Sequence, residues 1–110
     1  MSDVDGLAER LRTFADSRDW QRFHTPKNLL MALSGEVGEL VSELQWHSDV
    51  QADPAAWDDG LRERVLDEVA DMMIYLVRFA DVCAIDLLAA AHAKIVRNEQ
   101  RFPPTASGPG

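Results

Sequence analysis

Residues 65–82, VLDEVADMMIYLVRFADV, place Val65, Leu66, Val69, Met72, Met73, Leu76 and Val77 at intervals of three and four. That is the period of an α-helix with an apolar face, and the segment is predicted to lie within a helix from Leu61 to about Cys83. From Met72 to Ala80 only Arg78 is charged, so apolar residues occupy nearly the whole circumference. A helix of that kind is buried on more than one side. Four short helices supply too little cover for it, so a second copy of the chain is expected against part of this surface, as an isologous dimer or a higher symmetric form.

Downstream, Asp86 is placed to cap a helix from Leu87 to about Arg101. Upstream, His47 to Gly60 reads as a break in which Asp53 and Pro54 start a short helical turn. Thr25 followed by Pro26 is a stronger start: the hydroxyl caps open N–H groups, and proline at the first helical position has no N–H to lose. The helix it opens is expected to run to about Trp46. Leu7, Leu11 and Phe14 mark a first amphipathic helix ending near Arg18 to Trp20. No segment alternates as a strand does, and no repeat of solenoid type is present. The expected fold is all-α, an oligomeric bundle of four to five helices in a single domain over residues 1–102. The stretch from Pro103 to Gly110 has almost nothing to bury and is expected to be disordered.

The 110 residues carry 11 Lys plus Arg against 19 Asp plus Glu, a formal net charge of −8. This balance opposes the counterion release on which binding to phosphate backbones depends, and it disfavours an anionic membrane surface. No nucleic-acid or membrane partner is expected. No signal-type segment opens the sequence, and the single Cys83 has no intrachain disulfide partner. A soluble protein of the reducing cytoplasm is the expectation.

Acidic residues break local rules in the segment Pro26 to Trp46. Glu36, Glu39 and Glu43 have no Lys or Arg between Asn28 and Trp46 to neutralise them, and Gly35 and Gly38 interrupt the same helix. The glycines are expected to let another backbone or a ligand come close beside the acids. Glu36 and Glu39 flank the apolar stripe of Leu33, Val37, Leu40 and Leu44. Glu68 and Asp71 repeat the spacing beside Val65, Val69, Met72 and Leu76. If the two stripes pack together, four carboxylates converge at one margin of the bundle, where they repel unless cations join them. An all-oxygen site suits a hard octahedral ion such as Mg²⁺ or Mn²⁺ and, through it, phosphate. A di-iron bundle needs Glu-x-x-His pairs, and no acid here has a histidine three residues on. Solvated helix faces are the plainer account of these acids. Arg64 is placed to pair with Glu68 at i,i+4.

The run Gly35, Glu36, Val37, Gly38, Glu39, Leu40 with Gln45 and Trp46, followed by Glu68, Val69, Ala70, Asp71, Ile74, Tyr75 and Leu76, resembles the MazG-type all-α nucleoside triphosphate pyrophosphohydrolases. Within them it is similar to the short dCTP pyrophosphatase branch. The resemblance runs from about Arg18 to Pro103. It takes in Arg18, Asp19, Trp20, Phe23, His24, Pro26, Asn28, Leu29 and Leu30 near the start, and Lys94, Asn98, Arg101 and Phe102 near the end. It implies Mg²⁺-dependent cleavage of a nucleoside triphosphate between its α and β phosphates, giving a monophosphate and pyrophosphate. Glu36, Glu39, Glu68 and Asp71 fall on the family's metal ligands and catalytic acids. Lys94, Asn98 and Arg101, which share one helix face at i, i+4 and i+7, fall on phosphate contacts. Trp20 and Trp46 fall on aromatics of the base pocket, Tyr75 on a residue beside the sugar, and His24 beside the base. Taken alone, the two tryptophans are more often core residues, Tyr75 fits helix packing, and a capping or structural role fits His24 as well as contact with the base does. The branch carries an acid, Leu and Phe before Gln-Trp, where this chain has Ser42, Glu43 and Leu44, a difference that bears on the pocket wall. Glu43 is given no role.

The resemblance thus implies a house-cleaning hydrolase acting on dCTP or its base-modified forms, as a dimer or tetramer. The same cleavage on dUTP or several dNTPs is the nearest alternative, because base choice rests on few contacts. A helical oligomerisation or regulatory module without catalysis is the alternative from another class.

Overall fold

The computed structural model describes residues 3–105 and contains five α-helices, with no β-strand among the described residues. They are α1 (Asp3–Ser17), α2 (Pro26–Leu44), α3 (Asp49–Ala52), α4 (Asp59–Val82) and α5 (Leu87–Arg101). The expected all-α fold is observed. Helix α2 lies along α4 as the main packed pair, α1 packs on α4, and α5 makes little contact with the rest. Of the expected disordered stretch, Pro103 and Pro104 lie outside the helices and Thr105 forms an isolated bridge. Residues 106–110 lie outside the described residues.

Side-chain caps set most of the boundaries. Thr25 Oγ1 accepts from the Asn28 backbone N–H at 3.2 Å, and Asn28 Nδ2 donates back to the Phe23 carbonyl at 3.0 Å. Asp86 Oδ1 accepts from Ala89 N–H at 3.0 Å, starting α5 where the sequence places it. Helix α4 begins two residues before Leu61, because Asp58 Oδ1 accepts from Leu61 N–H at 2.7 Å. The expected break also contains α3, which Ser48 and Gln51 close with a reciprocal capping box. Asp53 caps the 3₁₀ turn Pro54–Ala56 as expected. Helix α2 stops at Leu44, short of Trp46.

The buried core is small: Ala15 from α1, Leu29 from α2, and Leu61, Val65, Val77 and Ala80 from α4. Much of the expected apolar stripe stays in contact with solvent in the single chain, including Val37, Val69 and Leu76. The Cα radius of gyration is 17.3 Å. A compact chain of this length has a radius of about 13 Å. The fold is therefore an open pair of helices with an outlying arm. Gly35 and Gly38 face open space: a Cβ at either position would meet nothing within 4 Å, so the close approach expected of them does not occur within one chain.

Two helix ends use a left-handed residue. After α1, Trp20 N–H reaches the Ala15 carbonyl at 2.9 Å and Asp19 N–H the Asp16 carbonyl at 3.2 Å, with Asp19 at φ 56°. After α4, Ile85 N–H reaches the Ala80 carbonyl at 2.8 Å and Ala84 N–H the Asp81 carbonyl at 3.2 Å, with Ala84 at φ 57°. Both are Schellman turns. The first throws Trp20 back over the end of α1. The second makes the tight corner into α5 at the cost of placing an alanine where glycine is unstrained. Ala84→Gly is expected to stabilise the fold by about 1 kcal/mol, raising the thermal midpoint by about 4 °C or more in a circular-dichroism melt. A lowered midpoint contradicts the strain.

Candidate metal centre and adjoining cavity

Helix α2 supplies Glu36 and Glu39, and α4 supplies Glu68 and Asp71. Residues three apart on a helix overhang the same edge, so packing α2 on α4 brings the two acidic edges together. One carboxylate oxygen each from Glu36, Glu39 and Glu68 lies within 4.8 Å of the other two. Glu36 Oε2 and Glu68 Oε2 are shut off from solvent and have no hydrogen-bond partner. Asp71 stands outside this trio and turns toward a neighbouring cavity.

As ionised groups the three carboxylates are acceptors facing acceptors. A proton on Glu68 converts it into a donor toward Glu36, and this bond is the first cause of its raised pKa. Burial, a second bond to Glu39 and the charges of both neighbours add to it, and Glu68 is pushed up to about 8. Among the described residues no basic side chain pairs with the cluster. Arg64, expected to pair with Glu68, instead donates Nε–H to Glu43 Oε2 at 3.0 Å and bridges α4 to α2. The rotamer that reaches across the helix pair satisfies Glu43 and leaves Glu68 to the acids. Two buried acceptors without partners and three converging oxygens fit a hard divalent cation.

The cavity beside this centre holds about 340 Å³. Leu11 and Phe14 of α1, Trp20 and His24 of the following connection, and Asp71, Ile74, Tyr75 and Arg78 of α4 line it. Trp20 packs edge-on to Phe14, with ring centroids 5.5 Å apart, and to His24 at 6.4 Å. The size suits a small organic ligand, and the indole offers it a flat face. Of the predicted contacts, Trp20, His24, Tyr75 and Asp71 are therefore brought together. Trp46 is not: it follows the end of α2 at 87% exposure and does not line the cavity. Lys94, Asn98 and Arg101 lie on the outlying α5, and Arg101 stacks over the Phe102 ring at 5.1 Å.

Sequence reasoning misses the polar end of the cavity. Arg78 is only 6% exposed. Its Nε donates to His24 Nδ1 at 3.0 Å and its Nη1 to Asp81 Oδ2 at 3.2 Å. Arg12 of α1 grips the same Asp81 through Nε at 3.0 Å and Nη2 at 2.7 Å. The Arg12 bond is the main reason the Asp81 carboxyl is held below the usual range, and burial followed by the Arg78 cation depresses the His24 imidazole. A lone Arg inside an apolar run, with an Asp three residues on, is the signal the sequence offers.

No protein-family model matches the sequence. A solved pyrophosphatase from Archaeoglobus fulgidus is 35% identical with a TM-score of 0.85, covering 94% of this chain and 95% of its own. The chain belongs to the MazG-type all-α nucleoside triphosphate pyrophosphohydrolases. Two proteins named dCTP pyrophosphatase 1 are also similar, from Rattus norvegicus at 48% identity and Homo sapiens at 44%. Each alignment spans 90 residues, 82% of this chain. The chain spans about half the length of these curated relatives, 53% of each.

The shared proton has a consequence for the metal-free protein. A carboxyl whose folded pKa stands above its unfolded value makes the native state the better proton binder, so stability is full below the unfolded pKa and falls as pH rises toward the folded one. With chelator present, the thermal midpoint is expected to decline between about pH 4.5 and about pH 8, and Glu68→Gln to flatten this part of the profile. Differential scanning calorimetry across that range checks it, and an unchanged slope in the variant contradicts the assignment to Glu68.

Proposed function

We propose that this chain hydrolyses a nucleoside triphosphate between the α and β phosphates, with dCTP or a base-modified dCTP as substrate, and clears such nucleotides from the cytoplasmic pool. The observation that carries this reading is the carboxylate trio with two buried, partnerless oxygens, set beside an aromatic-lined cavity that Asp71 joins to the same helix. Named dCTP pyrophosphatases among the relatives support the choice of substrate.

Glu36, Glu39 and Glu68 would hold Mg²⁺, or Mn²⁺ in its place, and Asp71, which lines the adjoining cavity, would join them as a fourth ligand. When bound, the metal offsets the phosphate charge and acidifies a water. The protein's own residues do the rest. Trp20 stacks the base, Tyr75 packs beside the sugar, and His24 faces the base from the cavity wall. One carboxylate of the trio orients the attacking water and takes its proton while the oxygen bonds to the α phosphorus. The bond between the α phosphorus and the bridging oxygen breaks, and pyrophosphate leaves with that oxygen.

Lys94, Asn98 and Arg101 contact the phosphates, and Trp46 completes the base wall, in an assembly of two or four copies. Two features support such an assembly: an arm that packs little on its own chain, and exposed apolar residues such as Leu66, Met73 and Ile95. Light scattering coupled to gel filtration is expected to give a dimer or tetramer, and a monomer contradicts it.

The direct test is a panel of purified dNTPs and NTPs assayed for pyrophosphate release with Mg²⁺ and with chelator. Release from dCTP that stops on chelation is expected, release from many dNTPs replaces dCTP with a broad substrate range, and no release removes the enzyme reading. Glu39→Gln is expected to lower turnover by about 100-fold or more with the helical circular-dichroism signal unchanged. Retained turnover counts against Glu39 as a ligand.

A further inference from the structure

The geometry points to Arg78 as a positioning and specificity residue: through His24 and its own guanidinium it makes the polar end of the cavity a wall of hydrogen-bond donors that selects cytosine over uracil and thymine. The inference rests on the reading above, in that a nucleotide base occupies this cavity.

The chemistry of the two side chains fixes the direction of each bond. Arginine Nε–H only donates, so the ring nitrogen facing it at 3.0 Å, His24 Nδ1, must carry a lone pair. A neutral imidazole with an unprotonated Nδ1 bears its hydrogen on Nε2. Burial and the Arg78 cation both favour that neutral ring. His24 Nε2 has no hydrogen-bond partner among the described residues. Arg78 spends Nε on His24 and Nη1 on Asp81, which leaves Nη2 without a protein partner among the described residues. Arg12 pins Asp81 from the other side with two bonds, so the guanidinium is anchored from α1 as well as from its own helix. Both Arg78 and His24 line the cavity that Trp20 and Tyr75 flank.

The Arg78–His24 end offers N–H groups, while the carboxylate that lines the cavity, Asp71, stands two turns away on α4. Cytosine presents O2 and N3 as adjacent acceptors on one edge and satisfies both donors. Uracil and thymine carry a hydrogen on N3, which sets donor against donor and leaves buried groups unpaired. Arg78 therefore acts twice, once by fixing the tautomer of His24 and once by direct contact.

The test uses the full chain and the deoxynucleoside monophosphates, so that it needs no turnover. Long-range proton–nitrogen NMR of histidine-labelled protein is expected to show His24 protonated on Nε2 alone at pH 7. Calorimetric titration is expected to show dCMP binding at least about tenfold tighter than dUMP and dTMP. In Arg78→Met the preference is expected to fall to about threefold or less, and in Arg78→Lys, which keeps a charge but cannot bridge His24 and Asp81, to fall similarly. Should Arg78→Met not fold, by circular dichroism, Arg78→Lys and the wild-type tautomer decide. A hydrogen on Nδ1 of His24, or an unchanged dCMP preference in a folded variant, overturns the proposal. If dCMP selectivity depends on Arg78 while no triphosphate is cleaved, the hydrolase reading fails and the wall stands. If triphosphates are cleaved but selectivity ignores Arg78, the reverse holds.

Discussion

Carboxylates that face one another across the α2–α4 seam are the constraint around which this molecule is arranged. Glu36, Glu39 and Glu68 converge within 4.8 Å, and two of their oxygens are cut off from water without a partner. An interface so built repels itself, and only a shared proton or a cation relieves it. The nearby Arg64 is committed to Glu43, and among the described residues no basic side chain pairs with the trio. A net charge of −8 adds to the local field. A polyphosphate approaches such a surface only after its sign has been reversed, which ties the binding of a phosphate substrate to the binding of metal.

One helix carries both halves of the site. Glu68, Asp71, Tyr75 and Arg78 follow one another on α4 at i, i+3, i+7 and i+10, a single face of the helix. Its acid end meets α2, and its guanidinium end meets the connection after α1, where the Schellman turn at Asp19 has folded Trp20 and His24 back. The spacing between the acidic centre and the cavity wall is thus set by helix rise. The packing of α1 and α2 on opposite parts of α4 decides whether the two ends are open together. Buried Val65 and Val77 on α4, with Leu29 on α2, hold that packing.

The sequence displays these relations unevenly. Thr25-Pro26 and Asp86 read directly as helix starts because a cap is a local bond between near neighbours. The acid pairs are also legible, since spacing on one helix fixes the edge they share. Partners across helices are less so: Arg64 has an acid within reach on its own helix, and only the crossing of α2 and α4 offers Glu43 instead. Asp71 shares an edge with Glu68 by periodicity, yet one turn is enough to carry it from the trio to the cavity. Arg78 reads in sequence as a single charge in an apolar run. Its burial depends on Asp81, Arg12 and His24, which three different segments bring together. Placing Trp46, Lys94 and Arg101 at the cavity rests on family resemblance, and a single chain leaves them apart from it.

If a divalent cation takes the place of the proton held among Glu36, Glu39 and Glu68, its binding must release that proton. Calorimetric titration of Mg²⁺ into the metal-free chain at pH 7, repeated in buffers of different ionisation enthalpy, counts the protons released. About one proton per bound ion is predicted, with binding and release both lost in Glu36→Gln. Binding without proton release, or no binding at millimolar Mg²⁺ by a folded chain, contradicts the exchange.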